Sequence, residues 1–434
     1  MNKTYTLFWF RRDLRLFDNA GLFNALKHEE NVLPVFIFDT EILKKLPAID
    51  LRVQFIHETV AELKKQLQKR KSDLVVEHGS PIEVYKKLLE KYPIKAIYTN
   101  HDYEPYARTR DEKIAKLCAA KKVEFKTFKD QAIFEKSEIV TDQENPYTVF
   151  TPYKNKWLKA LSPFYLKSYP VELYESNFTK IKPSAMPSLK SLGFEAQDFT
   201  FPEPTVSASL LKNYAKTRDF PELDHGTSHL GLHLRFGTVS IRELAREAKK
   251  FSDVWLSELA WRDFFMQILW HYPHVEKQSF KPQYDKIAWR ESKSELELWK
   301  TGQTGYPLVD AGMRELNATG YMHNRVRMVT ASFLAKHLLH YWYEGERYFA
   351  EKLLDYDLAA NNGNWQWAAS TGCDAAPYFR IFNPESQIER FDPDYEYVKK
   401  WVPEYNTAKY VKPMVEHKFA RERALAAFKK GLKK

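Results

Sequence analysis

Over the first 130 residues, short apolar, β-branched and aromatic runs alternate with amphipathic stretches. Residues 6–10, 32–38, 74–76, 96–98 and 123–128 read as strands, and 52–69, 81–91 and 105–120 carry the helical period. Strand and helix in alternation predict a parallel sheet covered by helices, a Rossmann-like α/β domain over 1–130, whose ligands belong beyond the carboxyl ends of its strands. From 131 to 203 the pattern dissolves into Pro, Ser, Lys and aromatic residues, with Pro146, Pro152, Pro163, Pro170, Pro183 and Pro187, and predicts an interdomain linker. Beyond 204 the strand signals vanish. Helical runs at 241–249, 254–270, 307–318, 322–343 and 347–355 predict an all-α domain over 204–434. No internal repeat or low-complexity block is visible.

Composition narrows the class. With 44% hydrophobic and 29% charged residues in 434, the chain is neither disordered nor a membrane bundle, and no stretch approaches 18 apolar residues. A formal charge of +10 points to a polyanionic partner, because Lys and Arg release counterions from phosphates on binding. The two cysteines, Cys118 and Cys373, exclude a disulfide framework and fit a reducing compartment. Arg11, Arg12 and Arg15 follow a short apolar run, the reverse of a secretory signal, so a cytoplasmic location is expected. There is no G-x-G-x-x-G, P-loop or G-x-S-x-G, and the histidine pairs His271/His274 and His337/His340 lack further ligands, so no metal site is expected.

Three segments carry candidate chemistry. Around 255–270, Glu258, Trp261, Arg262 and Phe265 share one side of a helix at spacings of three and four, where a carboxylate and a guanidinium beside an indole can bond to and stack on a flat heterocycle. A surface ion pair over a core tryptophan is the plain alternative. In 320–328, Asn324 and Met328 share a helical face flanked by Arg325 and Arg327; an amide with a thioether suits a base edge and its apolar face. In 355–367, Asp355 and Asp357, the consecutive amides Asn361 and Asn362, Gly363, and Trp365 and Trp367 are too polar for core packing and predict a buried polar network with the nearby arginines.

At these residues the sequence resembles the photolyase/cryptochrome family along essentially its whole length, most closely the photolyases that split cyclobutane pyrimidine dimers (class I). The resemblance rests on Trp9-Phe10-Arg11-Arg12-Asp13-Leu14-Arg15-Leu16, Trp261-Arg262-Asp263-Phe264, the 302–310, 322–328 and 355–367 segments, and Ala376-Pro377-Tyr378-Phe379-Arg380-Ile381-Phe382-Asn383-Pro384. It implies FAD, fully reduced in the active form, in the helical domain, surrounded by Tyr214, Thr227, Ser228, Leu230, Trp255, Glu258, Arg262, Asn324, Arg327, Asp355, Asp357 and Asn361. Thr227 and Ser228 would serve its phosphates, Arg327 would pair with Asp355, and Asn361 would face flavin N5.

The family's reaction is light-driven electron transfer to a dimer flipped out of DNA. Trp261 and Trp367 would stack on the dimer, Met328 would pack on it, Glu258 and Asn324 would bond to it, and Arg218, Arg325 and Arg380 would lie near DNA. Trp365, Trp342 and Trp289 would relay electrons from surface to flavin. Asn324 and Met328 stand where (6-4) photoproduct enzymes carry histidines, and Asn361 and the short Lys-rich end favour repair over a cryptochrome-type photoreceptor without repair. His229, Gly231 and Tyr321 depart from common family residues. Tyr106 and Ala107 replace an Asn-Glu pair that serves folate, which argues against a folate antenna and leaves a second chromophore of other identity or none. A monomer is expected.

Overall fold

The computed structural model describes residues 4–432. Five strands, β1 (Tyr5–Phe10), β2 (Val32–Asp39), β3 (Val75–Gly79), β4 (Ile94–Asn100) and β5 (Glu124–Phe128), form one parallel sheet in the order β3-β2-β1-β4-β5. The helices Ala20–His28, Leu51–Lys69, Pro81–Lys91 and Pro105–Ala120 make the crossovers. β1 is central because both its faces are covered: Leu7, Phe8, Trp9 and Phe10 are buried, as a strand without alternation requires. The chain winds one way through β2 and β3, then resumes on the other side of β1 with β4. The sheet's strand order therefore reverses between β1 and β4.

The sequence pattern divides the chain at 130 and 203, whereas the compact units are interleaved. The first holds residues up to Glu135 with Ala160–Pro204 and Leu230–Glu247; the second holds Lys136–Lys159, Thr205–His229 and Ala248–Lys434. Within the first, Arg15 donates to Asp130 at 2.7 Å, and Arg242 donates to Asp130 and Asp18 at 2.8 Å each. Buried charges require such partners, and they tie residue 242 to the sheet domain. Within the second, the proline-rich stretch contributes the helix Phe150–Ala160, whose Trp157 is fully buried and donates from Nε1 to Asp263 at 2.9 Å. Local hydrophobic patterning reports elements but not which body they join.

The second unit is helical. Its core gathers Trp299, Met313, Val326, Phe333, Trp342, Phe349 and Trp365 from successive helices. The single helix expected over 322–343 is instead broken. Asn324–Ser332 passes into a π-helical turn at Phe333–His337, Leu339 takes a left-handed φ of 54°, and a new helix starts at Trp342. The break is made by another segment: Arg290 N–H donates to Leu339 O at 2.8 Å, and residue 290 bridges His340. Apolar spacing continues through the break, so periodicity alone reads straight across it. Among the described residues no helix is long and apolar enough to cross a membrane.

Candidate functional site

Ser252 starts the helix Asp253–His271 by accepting from Trp255 N–H at 3.2 Å. One face then presents Glu258, Trp261 and Arg262 half-buried, with Trp255 buried beneath. The Glu258 carboxylate is hydrogen-bonded by Arg218, whose guanidinium also lies 5.4 Å over the Tyr214 ring. Asp219 stands 3.9 Å from Arg218 and accepts from Arg325 at 2.6 Å. Glu258, Arg218, Asp219 and Arg325 thus form one chain of alternating charge. Burial pushes the Glu258 carboxyl above its ordinary range against the opposing pull of Arg218.

A second group centres on Tyr321. Its hydroxyl lies 3.1 Å from Thr227 Oγ1, the His229 ring packs 4.4 Å from its own, and the Arg327 guanidinium sits 5.7 Å above. Burial raises the Tyr321 phenol to about 12. Arg327 makes a two-pronged bond to Asp355, at 3.2 and 2.9 Å, and donates from Nε to Met322 O at 2.7 Å. Such fork geometry fixes orientation as well as charge. Tyr214 lies close to both groups, its phenol raised by burial foremost, then by Glu258, with Tyr321 also contributing.

A third group lies where the helix Leu358–Ala369 begins. Asp357 caps it, accepting from the N–H groups of Ala359 at 3.1 Å and Ala360 at 3.3 Å. One turn on, Asn361 Nδ2 donates to Glu346 Oε1 at 2.9 Å and to Glu346 O at 3.1 Å. Both amide hydrogens are therefore committed, and Oδ1 is the atom left to accept. Glu346 is 3% exposed, and burial pushes its carboxyl to about 7. Sequence reasoning missed it, although Trp342, Gly345, Glu346 and Phe349 follow the spacing of a buried helical face.

Of the expected lesion-facing residues, Trp261 stacks on Phe150 at 3.5 Å and 9°. Met328 and Trp367 are half-buried, with Trp367 6.4 Å from Phe382, while Asn324 and Arg380 are exposed. Ser228 is half-buried; Leu230 is buried and belongs to the first unit. Trp365 and Trp342 are core residues, and Trp289 is half-buried against Tyr341 and Phe428. Trp365 depends on Gly345, where an added Cβ would meet its ring at 2.2 Å.

Comparison with known proteins bears on the family and the fold. A family model described as the FAD binding domain of DNA photolyase matches residues 255–409, and one described as DNA photolyase matches residues 6–172. The deoxyribodipyrimidine photo-lyase of Halobacterium salinarum is 37% identical, covering 98% of this chain and 99% of the relative. A class III photolyase from Agrobacterium tumefaciens superposes with a TM-score of 0.89 at 30% identity, covering 100% of this chain and 99% of that one. An archaeal photolyase from Sulfolobus tokodaii, solved with two FAD molecules, gives 0.84 at 35% identity, covering 98% and 100%. With a parallel-sheet unit, a helical unit matching an FAD-binding domain, and end-to-end likeness to such enzymes, this chain belongs to the DNA photolyase family.

Proposed function

We propose that the protein is a deoxyribodipyrimidine photo-lyase, a carbon–carbon lyase that uses light and FAD to split cyclobutane pyrimidine dimers in DNA. The observation that carries this reading is Asn361: with both amide hydrogens held by Glu346, its carbonyl oxygen is available to accept an N5–H, which an oxidised flavin lacks. Bound and fully reduced, FAD supplies the photoexcited electron that opens the cyclobutane bonds.

The residues present fit that cofactor. Thr227 and Ser228 offer hydroxyls to its phosphates, the Arg327–Asp355 pair offers fixed donors and acceptors, and Tyr214, Trp255, Glu258, Arg262, Asn324 and Asp357 complete the proposed set. For the substrate, Trp261 has Phe150 stacked on its ring, and with Trp367 it can sandwich an extruded base pair while Met328 packs on its edge. Glu258, held by Arg218, and Asn324 would bond to the pyrimidines; Arg325 and Arg380 would meet phosphates. Trp365, Trp342 and Trp289 would supply electrons that keep the cofactor reduced.

The test is repair of oligonucleotides carrying a single dimer, in light and in dark, by protein with chemically reduced FAD. Restoration of intact pyrimidines in light alone is expected. Binding of FAD with a light-induced spectral change but no repair would refute the lyase reading and leave a photoreceptor.

A further inference from the structure

The proposed relay offers no place inside it for a positive charge to be neutralised. The indole N–H groups of Trp365, Trp342 and Trp289 are all buried without a hydrogen-bond partner. An indole that loses an electron there keeps both its proton and its charge, in surroundings that solvate neither well.

Tyr341 is placed differently. Its ring lies 5.8 Å from that of Trp342, at 64°, and 5.9 Å from that of Trp289, at 53°, so it touches both. Its hydroxyl donates to the Lys277 carbonyl at 3.4 Å in a solvent-exposed bond. The helix break puts it there. Leu339 in its left-handed turn and the bond from Arg290, the residue after Trp289, swing the chain so that Tyr341 precedes the new helix with its ring against Trp289. Had the helix run on unbroken, no element would hold the chain beside residues 289 and 290 in this way. Beyond Trp289 the neighbouring ring is Phe428, 5.8 Å away, which is far harder to oxidise than a phenol.

We propose that Tyr341 is an added member of the electron relay, lying between Trp342 and Trp289, and that the oxidising equivalent comes to rest on it as a neutral tyrosyl radical. This rests on the reading of Trp365 and Trp342 as a relay. The step balances as follows: Tyr341 gives one electron to the oxidised indole of Trp342, restoring it. The phenolic O–H bond breaks, and the proton passes to solvent at the exposed hydroxyl. An external thiol later returns one electron, with a proton, to the radical. Charge separation is thereby made long-lived, because the return of the electron to Tyr341 requires recapture of a proton.

The experiment uses FAD-loaded protein with oxidised cofactor, illuminated without added reductant and examined by freeze-quench electron paramagnetic resonance and transient absorption. Wild type is expected to give a tyrosyl signal that narrows when ring-deuterated tyrosine is incorporated. Tyr341→Phe should lose it, show an indole radical instead and recombine several-fold faster, while Tyr343→Phe, altering a ring 6.2 Å from Tyr341, should behave as wild type. Tyr341→Trp provides a second variant should the first load FAD poorly, and should likewise replace tyrosyl by indole signal. A tyrosyl signal unchanged in both Tyr341 variants, or a wild type showing indole radical alone, overturns the proposal. Trp365→Phe separates the two levels: if it silences all radicals while the Tyr341 variants match wild type, only the role of Tyr341 falls, and if it leaves the radical yield intact, the relay itself falls and the proposal with it.

Discussion

Glu346→Gln should make the protein more stable at alkaline pH and leave it unchanged at acid pH. Glu346 is 3% exposed and faces the Asn361 amide, and desolvation raises its carboxyl from an ordinary 4.5 to about 7, with the Asn361 bond pulling the other way. A carboxyl with a raised folded-state pKa binds its proton more tightly in the native state than in the unfolded chain. Below about pH 4.5 both states are protonated and nothing is lost. Between there and about 7 the native state must be held against ionisation, so stability falls as pH rises. Each tenfold in proton affinity is worth about 1.4 kcal/mol, which puts the full loss at about 3 kcal/mol above neutrality. Glutamine keeps the size and an Oε1 acceptor for Asn361 Nδ2 but cannot ionise. Urea unfolding of FAD-loaded wild type and variant should therefore nearly agree at pH 4 and diverge by up to about 3 kcal/mol, in favour of the variant, at pH 8. Glu315, also raised to about 7, titrates in the same window in both proteins and cancels from the difference. Parallel pH profiles would show that Glu346 stays ionised at no cost, and the desolvation argument would fail.

Asp355→Asn strands the half-buried Arg327 guanidinium; with the pair 20–24% exposed, a loss of about 2 kcal/mol is expected in denaturant titration, together with weaker FAD uptake by flavin fluorescence. Arg380→Ala should flatten the log–log salt dependence of DNA binding by roughly one, whereas Arg325→Ala should change it less, because Asp219 already neutralises Arg325 at 2.6 Å. Trp365→Phe should block photoreduction of oxidised cofactor yet leave repair by pre-reduced protein intact in the light assay. In the sheet domain, Tyr106 donates to Asp39 at 2.6 Å, and Arg110 lies 5.7 Å over its ring, an arrangement without the folate-binding Asn-Glu pair. Mass spectrometry of native protein should then find no stoichiometric folate.

Where one segment determines its own conformation, the sequence was a good guide. Residues 81–91 and 105–120 are helices with those bounds, each opened by a proline at its first position, and the five strands lie where apolar runs place them. Residues 322–343 were misread because the cause of the break, Arg290, lies more than 30 positions upstream and leaves no mark on the local period. The proline-rich stretch was legible as irregular. The burial of Trp157 against Asp263, which binds part of it to the helical unit, was not.

The same division runs through the site. Asp355, Asp357 and Asn361 were conspicuous because acids and amides concentrated in a short span contradict a core, whereas Glu346, on the helix that starts at Trp342, and Tyr341, just before it, sit among aromatic residues and look ordinary there. What gives those two their chemistry is a tertiary neighbour: Asn361 for Glu346, and Trp289 for Tyr341. The neighbours are brought in at irregular backbone, the 353–357 turn and the 338–341 break. Loops held by rigid helices carry function because only there can side chains from distant positions be aimed at one point. A helical pattern that the fold interrupts is thus a place to look for chemistry, and in this chain the interruption at Leu339 is what brings a phenol between two indoles.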